Sequence, residues 1–193
     1  MERRFVIDDA QMVEGAIAGD FMPLTRVMAA SGLAVSGLQW DPPLGALREP
    51  ALAFLLTYWQ GLRESHSQAL PHIDRIEPLD MRPALGNVML LEAEDGGDDY
   101  RYRLYGSRIA ERSGFDLTGK RTRDIRTHAA IGLLYRVLYA AVSVRQAALF
   151  SRHVSPATVG VRYWDHLILP MTDASGRPRH FLVGNVPCDG APN

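Results

Sequence analysis

The sequence predicts an α+β fold: five antiparallel strands carrying a helical insert on one face, preceded by an N-terminal helical extension. Three observations lead there. Strand-type alternation recurs in five separate stretches, the longest helical pattern falls between the second and third of them, and turn sequences join the neighbouring pairs.

Residues 9 to 18 and 24 to 30 have the pattern of short helices, separated by Gly19, Asp20 and Pro23, and residues 31 to 50 are rich in Gly, Pro and Ser. This divides the chain into an N-terminal helical arm, 1–50, and a main domain, 51–190. A stronger helix begins at Pro50, a residue tolerated in a first turn, with Leu52, Leu55, Leu56, Trp59 and Leu62 on one stripe. That stripe must be buried, either inside the domain or in a dimer seam.

After a proline-rich loop from Pro71 to Pro83, "NVMLLEAE" (87–94) reads as a strand and "DGGDD" (95–99) as its turn into a second strand at 100–105. The acids of that turn have no EF-hand spacing after them, and turn chemistry accounts for them without a metal. In the second strand Tyr100, Tyr102 and Leu104 are expected on one face, with Arg101, Arg103 and Tyr105 on the other. At Gly106 the period changes, and Ile109 and Ala110 fall on one side of a short helix that Gly114 ends. Turns at 116–126 lead to a long helix, 127 to 146, with Ile131, Leu134, Leu138 and Ala141 at helical spacing. Strands follow at 147–154, 159–172 and 179–187, the last two joined by "DASGRP".

The 193 residues, 47% hydrophobic and 22% charged, describe an ordinary globular chain able to bury a substantial core. A net charge of −1 gives no overall field to attract nucleic acid or anionic lipid. The single cysteine, Cys188, excludes an internal disulfide and a thiolate metal cage made by one chain. Acids at Asp8 and Asp9 interrupt the N-terminal apolar run, and the mildly apolar stretch from Val27 to Trp40 falls short of the ~20 residues that span a bilayer, so a cytoplasmic location is expected.

Several motifs resemble a PAS-like bacterial family long catalogued as a domain of unknown function. They are Tyr102, Arg103, Leu104, Gly106 and Ser107 where a strand runs into a helix; Gly114, Asp116, Leu117, Thr118 and Gly119 in the following turn; and Leu167, Leu169 and Pro170 on a late strand. The resemblance covers about residues 52 to 187, with one departure: Arg75-Ile76-Glu77-Pro78 stands where similar chains carry an acidic Asp-Ile-Asp-Pro. It implies a PAS fold whose sheet and helical insert enclose a cavity, used by different members for haem, flavin, small acids or nothing.

Strand alternation and helix spacing nominate Tyr102, Leu104, Ile109, Tyr135, Leu138, Leu167, Leu169 and Val183 as inward residues, with Arg108, Tyr139 and His166 as polar handles for a ligand. No pair among the six histidines has the spacing of a zinc site on a helix; His128, opening the long helix, is the histidine a haem would need. Asp165 and His166 are strand neighbours on opposite faces and cannot act as a dyad. Nucleophile elbows, Walker loops and dinucleotide fingerprints are absent, so nothing points to an enzyme.

The expectation is therefore a standalone sensory or regulatory module that binds a small molecule of unknown identity. It would signal through a protein partner or a homodimer interface. The alternatives are a ligand-free interaction domain, with the Leu52-to-Leu62 stripe or the outer face of the sheet as its contact and Trp59, Tyr163 and Trp164 as the aromatics whose exposure would mark it, and a hotdog-type enzyme acting on an acyl thioester.

Overall fold

The computed structural model describes residues 9–64, 70–94, 97, 99–126, 129–154 and 161–189. Its elements are α1 (Asp9–Ala18), α2 (Met22–Ala30), β1 (Val35–Trp40), α3 (Pro50–Glu64), β2 (Val88–Ala93), β3 (Tyr100–Tyr105), α4 (Ser107–Ser113), α5 (Ala129–Arg145), β4 (Leu149–Val154), β5 (Tyr163–Met171) and β6 (His180–Cys188). The sheet is antiparallel, in the order β1-β4-β5-β6-β2-β3.

The five expected strands are present within a few residues of their predicted limits, and β1 is a sixth. It lies in the segment read from sequence as a Gly/Pro/Ser-rich arm. A register shift between Ser36 and Gln39, with Gly37 at φ 62°, breaks the alternation, so Val35, Leu38 and Trp40 face inward without a regular period of two. The arm folds back on its own chain. The Trp40 indole N–H donates to the Ala16 carbonyl at 2.9 Å, and Arg145 donates to the Ile17 carbonyl at 2.7 Å, so β1 and α5 satisfy the open C-terminal carbonyls of α1.

Helices cover both faces of the sheet. On one face α5, α4, α1 and α2 share a core with Met89, Leu91, Tyr100, Tyr102, Ile168, Phe181 and Val183. On the other, α3 packs Leu52, Leu55, Leu56 and Trp59 against Leu167, Leu169, Met171, Leu182 and Val186. The α3 stripe is thus buried inside the domain; Trp59 is 1% exposed and its indole N–H donates to the Pro170 carbonyl at 2.9 Å. Gly184 makes this contact close, since a Cβ there would lie 2.4 Å from Leu52 Cδ2. Among the described residues no helix is long and apolar enough to cross a membrane.

A second bulge reorders β3. The register shifts between Leu90 and Leu91, so Tyr102 opposes Leu91 and Tyr105 opposes Met89, with one extra residue between them. Tyr100, Tyr102 and Tyr105 therefore all point toward α5, and Leu104, expected inside, turns out to solvent at 40% exposure.

The change of period at Gly106 has a steric cause. Its φ of −58° suits any residue, but a Cβ there would sit 2.3 Å from the Gly86 carbonyl oxygen, so only glycine lets the chain cross Gly86 and start α4. Gly114, at φ 81°, ends that helix.

Candidate functional site

Strand alternation sorts the chemistry of β4 and β5 onto two faces. Arg152 and Asp165 point to the α3 side, where the guanidinium grips the carboxylate through two bonds of 2.6 and 2.8 Å and stacks 4.4 Å over the Tyr163 ring. Ser151, His153 and His166 lie on the other side, under α5. Formal charge is thereby confined to one face of these strands and neutral polar groups to the other.

Beneath α5 the neutral groups form an ordered chain. The Tyr102 hydroxyl hydrogen-bonds that of Tyr139, Tyr139 lies 3.4 Å from His166 Nε2, and His166 Nδ1 lies 3.2 Å from Asn185 Oδ1. A single polarity satisfies every link: each tyrosine donates onward and His166 donates from Nδ1 to the amide oxygen. Alongside it, the Tyr135 hydroxyl lies 3.1 Å from His153 Nε2; with Tyr135 donating, His153 carries its proton on Nδ1. Burial pushes the His153 imidazole down to about 3, with His166 nearby acting in the same direction. It pushes His166 down to about 4, partly opposed by the Asn185 bond. Both rings are neutral at pH 7. Burial also raises the hydroxyls of Tyr102, Tyr135 and Tyr139 well above their ordinary value, so all three stay protonated donors.

Cross-strand register extends these groups into a polar row. Ser151 pairs with His166 across β4 and β5, His166 pairs with Asn185 across β5 and β6, and the Asn185 backbone N–H donates to the Asn87 carbonyl at the start of β2. All four residues are buried. Among the described residues, three buried side-chain atoms at this row have no hydrogen-bond partner: Ser151 Oγ, His153 Nδ1 and Asn87 Oδ1. Such atoms cost roughly 1–3 kcal/mol each unless something else bonds them. Ser151 and His153, two residues apart on β4, lie on the same face of that strand.

The rings around the row are close. Tyr135 stacks on His166 at 4.8 Å between centroids, Tyr100 lies 5.1 Å from Tyr139, and Tyr139 lies 5.3 Å from Phe181. Haem or flavin, which the sequence resemblance allows, does not fit between rings so spaced. Tyr100 also floors an external groove of about 420 Å³ between α5, the β2–β3 turn and Arg177–Arg179, so its ring separates that groove from Tyr139.

Of the residues nominated from sequence, Tyr102, Ile109, Tyr135, Leu138, Tyr139, His166 and Val183 are buried on the α5 side. Leu167 and Leu169 face α3 instead, because alternation along β5 sends Trp164, His166 and Ile168 to the α5 side. Leu104 and Arg108 are exposed. Ser151, His153, Asn185 and Asn87 were not nominated; the signal available was Leu149, Ser151 and His153 at period two on β4, polar residues in a strand otherwise read for its apolar content. His128, the haem candidate, and the turn acids Asp95 and Asp98 lie outside the described residues. The remaining turn acid, Asp99, is buried; burial opposes its ionisation, but bonds from Thr122, the Tyr100 backbone and Arg123 outweigh that and hold it below its ordinary value.

Cys188 sits on the α3 side with its thiol donating to Glu49 at 3.6 Å, pushed up to about 12 by burial and nearby carboxylates, and is an unreactive thiol at neutral pH. Glu49, Asp165 and Cys188 could in principle converge on a cation, but Arg152 already occupies Asp165. The expected aromatics Trp59, Tyr163 and Trp164 are all buried and offer no exposed contact.

A sheet with a helical insert over its inner face, polar groups buried beneath that insert and a separate helix on the outer face, is a mixed α+β architecture. A family model described as a PAS domain matches residues 47–184, and the chain belongs to that family. No curated protein and no solved structure matches it.

Proposed function

We propose that this PAS module senses a small molecule held under α5 by the polar row, and passes the signal to a protein partner or a second copy of the chain. Ser151 Oγ and His153 Nδ1 carry the reading, as two buried polar atoms on one face of β4 without a partner among the described residues, beside a hydrogen-bonded tyrosine–histidine chain. Tyr102, Tyr135, Tyr139 and His166 supply the remaining polar wall, and Ile109, Leu138 and Val183 the apolar one. A ligand bonded by β4 and capped by Tyr135 would couple the sheet to α5, and movement of α5 would reach the surface through Val144 and Arg145. The role is one of binding rather than catalysis, carried out in the cytoplasm.

Native mass spectrometry of the protein purified without denaturation tests this by reading assembly state and retained mass together. A discrete extra mass supports the sensor. An apo spectrum, with no small molecule shifting the melting temperature, would remove it.

A second reading, a ligand-free interaction domain, is favoured by apolar side chains near the β3 edge. Leu85 and Leu104 are 47% and 40% exposed, close to the Gly86–Gly106 crossing. With the α3 stripe buried in the domain, that surface is the better candidate for a partner or dimer contact. The hotdog-enzyme reading is superseded by the family.

A further inference from the structure

We infer that the N-terminal arm is a strap fastened across the joint between α5 and β4, and that displacement of α5 releases its two helices. This rests on the reading of α5 as the element a bound ligand moves, and adds what that movement releases.

The position of the arm comes first. The family match begins at residue 47, so α1, α2 and β1 are additions to the part of the chain it covers. Their attachments divide between two elements. β1 pairs with β4, Val35 opposite His153 and Ser36 opposite Arg152, whereas α1 and α2 pack on α5. Tyr135 and His153, 3.1 Å apart, link the same two elements from inside. If α5 shifts relative to β4, the arm cannot keep both attachments unchanged.

The fastening comes second, and arginines of α5 supply it. Arg136 meets Asp9 at the start of α1 at 3.8 Å, and Arg145 donates to the Ile17 carbonyl near its end at 2.7 Å. The Arg145 guanidinium also lies 4.7 Å over the Trp40 ring. Trp40 in turn donates its indole N–H to the Ala16 carbonyl and stacks on Phe21 at 6.4 Å. One exposed side chain of α5 thus ties together the end of α1, the connection to α2 and the end of β1.

The pivot comes third. Gly32, at φ 77° between α2 and β1, has open space where a Cβ would stand. α1 and α2 can swing about it while β1 keeps its ladder to β4. The swing uncovers Met12, Ala16, Leu24 and Met28, each at most 1% exposed while the strap is fastened. A shift of α5 becomes a new apolar surface.

Hydrogen exchange of the full chain, wild type against Arg145→Met, tests this without a ligand. Methionine keeps an aliphatic stem and removes the charge and the donors. Amides of α1, α2 and the end of α5 should exchange about three- to tenfold faster in the variant, while those of β5 and β6 stay within about twofold. Trp40→Phe, which removes the bond to Ala16, should give the same pattern. Coupling is reciprocal, so the α5 amides decide the matter. Faster exchange in α1 and α2 alone would show an arm that α5 does not operate, and a uniform change along the chain would show no separate strap. Either result overturns the inference, as do unchanged rates in both variants. The sensor reading fails separately, on apo native mass spectra with no small molecule shifting the melting temperature, whatever these rates are.

Discussion

The Tyr135 hydroxyl lies 3.1 Å from His153 Nε2, joining the middle of α5 to a strand that carries two unpartnered polar atoms. Replacing Tyr135 with Phe would leave both nitrogens of a buried imidazole without partners. A loss of about 1–3 kcal/mol is expected, read as a lower urea midpoint at unchanged slope. A change under about 0.5 kcal/mol would mean that the contact is incidental.

Acid should unfold the protein through its buried histidines. His153 and His166 have folded values of about 3 and about 4, below the ordinary 6.5, so the unfolded chain binds more protons between these values. The stability of the neutral forms is fully present above pH 6.5 and is lost as pH falls toward the folded values. Each histidine should contribute a slope of about 1.4 kcal/mol per pH unit, with His180, also lowered by burial, adding to it. Between pH 6 and 5, above the range of the depressed carboxylates Glu92 and Asp99, His153→Phe should reduce the slope of unfolding free energy by close to one proton. An unchanged slope would show that His153 is not held neutral.

Arg152→Met should be among the most damaging single changes on the α3 side, because it leaves Asp165 buried beside Cys188 and Glu49 without its cation. About 3–5 kcal/mol is expected, with most of it recovered when Asp165→Leu is added. Equilibrium denaturation of the two variants checks this, and a double variant no more stable than the single would contradict it.

Gly106→Ala should be costly despite an ordinary backbone angle, because its Cβ would meet a carbonyl oxygen that cannot rotate away. A loss of at least about 2 kcal/mol is expected, whereas alanine at Gly45, where a Cβ would meet nothing within 4 Å, should cost far less.

Much of this architecture is legible in the sequence, and the exceptions have physical causes. The strands from Val88 to Cys188 and both main helices follow from apolar pattern and turns, because each is an apolar stretch bounded by turn residues. β1 and the outward turn of Leu104 do not follow, since bulges at Ser36–Gln39 and opposite Leu90–Leu91 displace the alternation by one residue and a bulge has no apolar signature. For the site, Tyr135, Tyr139 and His166 stand out as polar residues within apolar patterns. Ser151, His153 and Asn185 become a unit only through the register of three strands distant in sequence. Leu167 and Leu169 face α3 while His166 of the same strand faces α5, because β5 is buried on both sides and its composition does not say which side is which.

The most direct measurement is native mass spectrometry on the wild type and on a Ser151→Ala/His153→Phe variant prepared side by side, with Trp59→Phe as the control on the other face. A discrete mass retained by the wild type and by Trp59→Phe but absent from the double variant is the predicted result. Apo spectra for all three, or the same mass retained by all three, would contradict a ligand site under α5.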